Sequence, residues 1–301
     1  MRSLFGPRAP VTGPSTSWPR VIPPRVTSLS TARSRDATSW HALTVSVVGE
    51  GHRAEAKGGD DCSQCLAIGE SAIALVVADG AGGSSHAAWS ARTAVDLIAP
   101  LLDAAAPEIT AAASAYSAIR VLGRIMISAE DAVLDVRRRF DIRPGDGLTT
   151  LGVALASDDF VVYAGIGDGF LVVGLRDGRY FLPIPIVRAS RHHNETWLLG
   201  HDSWRSHGFC YAVCDAEIAT IALSTDGLEE VLLDYRLPGA DIPGAEPLRP
   251  VPDRFSGAVT AMRGPDSDLD DTAMHLARLL VSSEVGALSS DDLSLAIAVR
   301  H

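Results

Sequence analysis

The sequence predicts an α+β fold. Two long stretches, residues 84–102 and 107–140, carry apolar residues three and four positions apart, which is typical of helices with one buried face. Four short apolar runs between residues 148 and 182 are separated by turn residues, which indicates strands. The two helices follow the first predicted strands and the middle of the chain is strand-rich, so both kinds of element contribute to one core.

Composition narrows the class of protein. The chain has 301 residues and is 47% hydrophobic, so it can bury a sizeable core. Its net charge of −11 argues against a general nucleic-acid-binding protein and suits a site crowded with carboxylates that needs cations. No apolar run reaches the 18 residues of a membrane-spanning helix, so no membrane association is expected.

Residues 1–38 differ in composition from the rest. They are rich in Pro, Ser, Thr and Arg, with six arginines and one acid, and they lack hydrophobic periodicity. We predict a disordered tail over 1–38 and one folded domain over 39–301. An organellar transit peptide and a start codon placed too far upstream are the alternatives, although the prolines argue against the amphipathic helix of a transit peptide.

Four cysteines, Cys62, Cys65, Cys210 and Cys214, allow a structural zinc site by their spacing. Both pairs lie in or beside predicted strands, where free cysteines usually behave as small buried hydrophobic residues. We therefore favour buried thiols. Because no secretory segment is visible, we expect a reducing, cytoplasmic environment.

The remaining elements follow from local patterns. A short helix is predicted after Leu228 and another at 271–281, while 185–208, with its four histidines, and 237–268, with five prolines, are predicted to be loops. Strands are predicted at 43–48, 72–78, 148–156, 160–165, 170–175, 179–182, 211–214, 218–223 and 293–299.

The stretch from Ile73 to Gly83 suggests a site. A short apolar strand ends at Asp79 and is followed by Gly80, Ala81 and two further glycines, and a helix then begins. Asp-Gly is a common turn dipeptide and occurs five times in this chain, so one interpretation is a tight turn. The other is a site for a hard metal ion, since carboxylates and a backbone carbonyl are the ligands that Mg²⁺ or Mn²⁺ accepts.

Other acids recur in similar settings, and this favours the metal interpretation. Acids gathered at one end of a β core repel each other unless cations lie among them, and two divalent ions bridged by a carboxylate could activate a water molecule. The acids at predicted strand ends or turns are Asp60, Asp61, Asp79, Asp168, Asp226, Asp291 and Asp292.

The acids belong to five of six longer stretches, which are GEGHRAEAKGGDD from Gly49, VVADGAGG from Val76, GLTTLGVAL from Gly147, AGIGDGFLVV from Ala164, LSTDGLEEVL from Leu223 and DDLSLAIAV from Asp291. In this order, the six stretches resemble the motifs of the metal-dependent protein phosphatases of the PPM type (type 2C serine/threonine phosphatases), bacterial members included. The resemblance covers about residues 40–300.

The resemblance implies roles for individual residues. Asp79 would bridge two metal ions and, with Asp226, would be essential for catalysis, and the Gly80 carbonyl would be a ligand of one ion. Asp226 and Asp291 would hold the first ion, and Asp60 and Asp61 stand where the family has acids near the second. Asp168 and Glu230 match acids that hold a third ion in some members.

The sequence departs from the family pattern at three points. The arginine that binds phosphate is replaced by Ala56, so Arg53 or Lys57 is the candidate substrate-binding cation. The G-D-S-R element reads Gly167-Asp168-Gly169-Phe170. The histidine that serves some members as general acid is replaced by Ala81, and His86 and His52 are nearby candidates that can equally be structural.

The resemblance further implies a four-layer α-β-β-α sandwich of two antiparallel sheets, and a reaction in which a metal-bound water attacks the phosphorus of phosphoserine or phosphothreonine without a phosphoenzyme. The expected cofactors are two Mn²⁺ or Mg²⁺ ions, with a third in some members. The expected partners are a phosphoprotein substrate and a cognate serine/threonine kinase. A catalytically weak regulatory module and a hydrolase of small phosphomonoesters are the alternatives.

Overall fold

The computed structural model describes residues 25–35, 40–112, 114–143, 145–186, 197–201, 209–214, 217–234 and 248–301. The strands are β1 Val26–Arg33, β2 Trp40–Val47, β3 Asp61–Ile68, β4 Ala72–Asp79, β5 Leu151–Ala156, β6 Val161–Ile166, β7 Phe170–Leu175, β8 Tyr180–Phe181, β9 Phe209–Cys214, β10 Ile218–Ser224, β11 Leu233–Asp234, β12 Arg249–Pro250 and β13 Leu293–Arg300. The α helices are α1 Glu50–Ala54, α2 Ala87–Thr110, α3 Ala115–Arg139, α4 Glu229–Leu232, α5 Pro252–Met262, α6 Leu269–Leu280 and α7 Ser283–Gly286.

The strands form two large antiparallel sheets. The six-stranded sheet has the order β1-β2-β13-β10-β7-β8, and the five-stranded sheet has the order β3-β4-β5-β6-β9. The first sheet joins strands from opposite ends of the described chain, because β2 pairs with β13 along eight positions, from Trp40 opposite Arg300 to Val47 opposite Leu293.

Three buried clusters fill the spaces between four layers. Helices α2 and α3 pack on the five-stranded sheet through residues such as Ile98 and Leu122. Helices α4 to α7 pack on the six-stranded sheet through residues such as Phe255. The third cluster, which includes Trp40 and Ile221, lies between the two sheets. The predicted α-β-β-α sandwich is thereby confirmed.

The boundary between the two long helices differs from the prediction. Helix α2 continues to Thr110 with Pro100 and Pro107 inside it, and α3 begins after Ser114, whose side chain accepts a hydrogen bond from the Ser117 amide. Ile98, Leu102 and Ile109 are all buried, and this packing offsets the backbone hydrogen bonds that the prolines lack. None of the helices in the described ranges is long and apolar enough to cross a bilayer.

The prediction of a disordered tail over residues 1–38 is wrong for part of that range, because residues 26–33 form strand β1. This strand pairs with β2 along its length, from Val26 opposite Val47 to Arg33 opposite His41. Its side chains have no hydrophobic alternation that would reveal it. Instead, its hydroxyl groups bond to neighbouring strands, as Ser30 does to Thr44 at 2.9 Å and Thr27 to the Asp61 carbonyl at 3.3 Å.

The prediction of one long loop over 237–268 is also wrong for its second half. Helix α5 occupies Pro252–Met262, with proline in its first turn where no amide donor is needed. Phe255, Val259 and Met262 on its inner face are buried. Residues 235–247 lie outside the described ranges, as do His192, His193 and His207 of the other predicted loop.

Among the described residues, the cysteines belong to no group that could hold a metal ion. Cys62 and Cys65 both lie on β3, but Cys62 packs under α2 and α3 whereas Cys65 belongs to the cluster between the sheets. None of the four cysteines forms a disulfide, and burial raises the pKa of Cys62 to about 11 and that of Cys65 to about 12. Thiols with raised pKa values in apolar surroundings are inert, as expected for small hydrophobic core residues.

Because strand β1 is part of the six-stranded sheet, the effect of an N-terminal truncation on stability should depend on whether β1 is removed. A chain that begins at Arg25 is expected to keep its melting temperature and turnover, because the composition of residues 1–24 cannot bury a core. A chain that begins at Ser39 lacks β1, so its melting temperature is expected to fall by roughly 5 °C or more. Thermal unfolding of both chains tests this, and equal melting temperatures would show that β1 does not stabilise the domain.

Candidate metal centre

Strand ends from both sheets meet at one end of the sandwich. In the five-stranded sheet, β3 begins at Asp61 directly opposite Asp79, where β4 ends. In the six-stranded sheet, Ser224 at the end of β10 lies opposite Phe170 of β7 and Leu295 of β13. The acids that flank these three ends therefore lie at the same edge, and they are Asp168, Asp226 and Asp291.

Asp61 and Asp79 form a carboxyl pair at the centre of this edge. Asp61 is buried, accepts a hydrogen bond from Thr225 Oγ1 at 2.8 Å, and is hydrogen-bonded to Asp79. Burial and the charge of Asp61, followed by those of Asp226 and Asp291, raise the pKa of Asp79 far above its usual range. Without a cation the pair therefore retains a proton at neutral pH.

The glycine loop after Asp79 is held tightly by backbone and threonine contacts. The Gly80 amide donates to the Asp60 carbonyl at 3.2 Å, and the Thr149 hydroxyl donates to the Asp79 carbonyl at 2.8 Å. A Cβ atom at Gly80 would lie 2.2 Å from the carbonyl oxygen of Ala87, so no larger residue fits there. Glycine is thus required for the close approach of helix α2 to the strand end.

Asp226 and Asp168 extend the carboxyl pair into a larger group. One carboxylate oxygen from each of Asp79, Asp168 and Asp226 can be chosen so that all three lie within 4.8 Å of one another. Burial, followed by the charges of Asp168, Asp291 and Glu229, raises the pKa of Asp226 to about 7. Glu230 is exposed, and its neighbour Glu229 is the glutamate that acts on Asp226.

Asp60 and Asp291 complete the set of predicted acids. Burial raises the pKa of each, and in both cases His52 opposes the shift. His52 itself lies in α1, with Nδ1 2.9 Å from Asp292 Oδ2 and Nε2 3.8 Å from Asp60 Oδ2. Burial lowers the pKa of His52, but the hydrogen bond to Asp292 and the surrounding acids outweigh this effect and raise it.

The two candidate phosphate-binding cations differ in their contacts. Arg53 donates to the Val48 carbonyl at 3.1 Å and to Glu50 at 3.0 Å, so its guanidinium is tied to the start of its own helix. Lys57 is 62% exposed, pairs with Glu55 and is close enough to Asp60 for that charge to raise its pKa, after the larger effect of Glu55. Lys57 is thus the more exposed of the two.

The other candidate histidine lies at the start of α2. His86 Nδ1 is 3.0 Å from the Ser85 hydroxyl, and its ring contacts Trp89 edge-on.

Two hydrogen bonds at this edge were not predicted from the sequence: the one from Thr225 to Asp61 and the one between His52 and Asp292. Each joins residues more than 160 positions apart, so local patterns carry no sign of them.

The donor set of this edge fits divalent cations. The two sheets hold several carboxyl groups with raised pKa values close together. Repulsion between their ionised forms costs free energy, which bound protons or metal ions can offset. The glycine loop that follows Asp79 adds backbone carbonyls to the chain next to these carboxylates, and oxygen ligands of these two kinds suit Mg²⁺ or Mn²⁺. Fold and site together define an α-β-β-α sandwich protein with a candidate site for divalent cations at one edge.

Comparison with known proteins identifies the family. Residues 48–263 match the family described as protein phosphatase 2C, and the chain belongs to this family. The resemblance to type 2C phosphatases is thereby confirmed, and with it the expectation of a metal-dependent phosphoprotein phosphatase. No curated protein matched the chain in the sequence comparison.

Solved structures share the fold at low sequence identity. Serine-threonine phosphatase 2C from Toxoplasma gondii is 11% identical with a TM-score of 0.57, and the alignment covers 91% of this chain and 99% of that one. The phosphatase Stp1 from Staphylococcus aureus is 16% identical with a TM-score of 0.56, over 89% and 97% of the two chains. RsbX, crystallised with magnesium, is 13% identical with a TM-score of 0.50, over 90% and 100%.

Proposed function

We propose that the chain removes phosphate from phosphoserine and phosphothreonine in a protein substrate, with two Mn²⁺ or Mg²⁺ ions at the carboxylate edge. The observation that carries this proposal is the grouping of acids at one edge: Asp61 lies opposite Asp79, and oxygens of Asp79, Asp168 and Asp226 lie within 4.8 Å of one another. The proposed ligands of the two ions are Asp60, Asp61, Asp79, the Gly80 carbonyl, Asp226 and Asp291, and those of a third ion are Asp168 and Glu230.

Each side chain has a definite task in this mechanism. The bound cations would supply an activated water molecule and neutralise the phosphoryl oxygens. Asp79 lies between the acids of both sheets and is suited to bridge two ions. Thr225 donates to the Asp61 carboxylate, and Thr150 Oγ1 accepts from the backbone amide of Asp79 at 2.8 Å, so the Asp61 carboxylate and the Asp79 backbone are held in place before any ion binds.

The proposal implies a partner and a setting. A serine/threonine kinase must supply the phosphorylated substrate, because phosphate esters of these side chains arise only by phosphoryl transfer. Four cysteines without a disulfide among them are consistent with the reducing cytoplasm that we propose as its compartment.

The decisive experiment is hydrolysis of a phosphopeptide and of p-nitrophenyl phosphate with Mn²⁺, Mg²⁺ or EDTA. Metal-dependent turnover of the phosphopeptide, abolished by EDTA, is the expected result. Turnover of small phosphomonoesters alone would favour a small-molecule hydrolase. Binding of a phosphopeptide without turnover would favour a regulatory module, which Ala56 and Ala81 in place of the family's arginine and histidine would explain.

Lys57 or Arg53 is proposed to supply the phosphate contact that Ala56 cannot make. Replacing the correct residue by alanine is expected to lower kcat/KM by roughly ten- to hundredfold, as for loss of a charged hydrogen bond. Arg53→Ala should also lower the melting temperature, because Arg53 holds Val48 and Glu50, whereas Lys57→Ala should not.

The test compares both single variants and the double variant on one phosphopeptide. Arg124→Ala is the matched control, since Arg124 of α3 is about as exposed as Lys57 and also pairs with one glutamate, Glu108 of α2. Parent-like kcat/KM in all three test variants would show that this loop does not bind phosphate.

A further inference from the structure

The environment of Asp292 determines which nitrogen of His52 carries a proton. Asp292 is buried, and its two oxygens accept hydrogen bonds from the backbone amides of Gly49 and Asp60. A carboxylate that receives these donors acts as an acceptor for His52 as well, so Nδ1 of His52 is the donor in the 2.9 Å contact. In the neutral ring, Nε2 therefore carries the free lone pair.

That lone pair is close to a predicted metal ligand. His52 Nε2 lies 3.8 Å from Asp60 Oδ2. Two atoms that are each about 2.1 Å from one ion can be at most about 4.2 Å apart, so one cation can contact both. A histidine that donates from one nitrogen to a carboxylate and binds a metal through the other is a recurrent arrangement in metalloproteins, and the carboxylate fixes the ring.

We propose that His52 Nε2 and Asp60 bind the same divalent cation, and that Asp292 is a positioning residue that orients the His52 ring. This inference rests on the proposed metal-dependent function and adds a nitrogen ligand to an oxygen donor set. Imidazole favours Mn²⁺ and later transition metals over Mg²⁺, which prefers oxygen. The parent protein should therefore select Mn²⁺ over Mg²⁺ more strongly than a protein that lacks this nitrogen.

The variant His52→Asn separates the two roles of the ring. The asparagine amide can occupy the place of Nδ1 and keep the hydrogen bond to Asp292, but it has no atom at the place of Nε2. We expect Mn²⁺ affinity, measured by calorimetry, to fall about ten- to hundredfold while Mg²⁺ affinity changes much less. Pulsed electron paramagnetic resonance of the Mn²⁺-loaded parent should show coupling to an imidazole nitrogen that the variant lacks. His275→Asn, on the exposed face of α6, is the control and should keep parent values.

The outcomes distinguish this inference from the proposed function. If the parent and His52→Asn bind Mn²⁺ equally and neither shows nitrogen coupling, the inference is wrong while the carboxylate site stands. If the parent binds no Mn²⁺ at all, both proposals are wrong. A lower melting temperature of metal-free His52→Asn with unchanged Mn²⁺ affinity would show that the ring only anchors α1.

Discussion

Asp79→Asn and Asp226→Asn are each expected to abolish hydrolysis, with kcat lower by about a thousandfold or more. Both residues lie at strand ends among acids whose charges raise their pKa values, so each contributes a negative charge that a cation there needs. An amide of the same shape removes the charge and leaves the fold intact. Measurement of kcat at saturating Mn²⁺ tests this directly.

Asp177→Asn is the matched control for these two substitutions. Asp177 also precedes a glycine, but it lies in the hairpin between β7 and β8 and pairs with Arg179 at 2.7 Å. This variant should keep parent activity. Near-parent turnover in Asp79→Asn or Asp226→Asn would contradict the metal assignment, provided that circular dichroism shows all three variants to be folded.

The metal-free protein is expected to lose stability as pH rises from 6.5 to 8.5. The folded Asp61–Asp79 pair keeps a proton over this range, whereas both carboxyls of the unfolded chain are ionised. Because the folded state binds more protons, the free energy of unfolding falls with pH, by about 1.4 kcal/mol per pH unit for one proton. His41, whose pKa burial lowers to about 4, is neutral in the folded state but partly protonated in the unfolded chain near pH 6.5, so it opposes this fall slightly at the low end of the window.

This corresponds to a fall in melting temperature of roughly 5 °C across the window, which Mn²⁺ should prevent because the cation replaces the proton. Thermal unfolding with EDTA and with Mn²⁺ at three pH values measures both effects. Metal-free Asp79→Asn should show a shallower slope than the parent. A melting temperature that stays constant or rises with pH in EDTA would contradict the protonated pair.

The sequence predicts the sandwich and the strand-end acids at its edge, but it does not reveal every element that surrounds them. Asp79 and Asp226 are recognisable because each follows an apolar strand and precedes a glycine that close packing requires. Strand β1 is not recognisable, because its serines and threonines are satisfied by residues of other strands rather than by a local pattern. The end of α2 is not recognisable either, since burial of Ile109 outweighs the local effect of Pro107.

The pairing of β2 with β13 has a consequence for how the protein is made. Strand β2, residues 40–47, is synthesised early. It can pair with β13 only after residues 293–300 have been synthesised. Such distant pairing makes folding slow, because a long loop must close before the contacts form. Asp291 and Asp292 arrive with the same late segment, so an incomplete chain cannot assemble the carboxylate edge. The growing chain would therefore have no phosphatase activity until its synthesis is nearly complete, even when phosphoproteins are present.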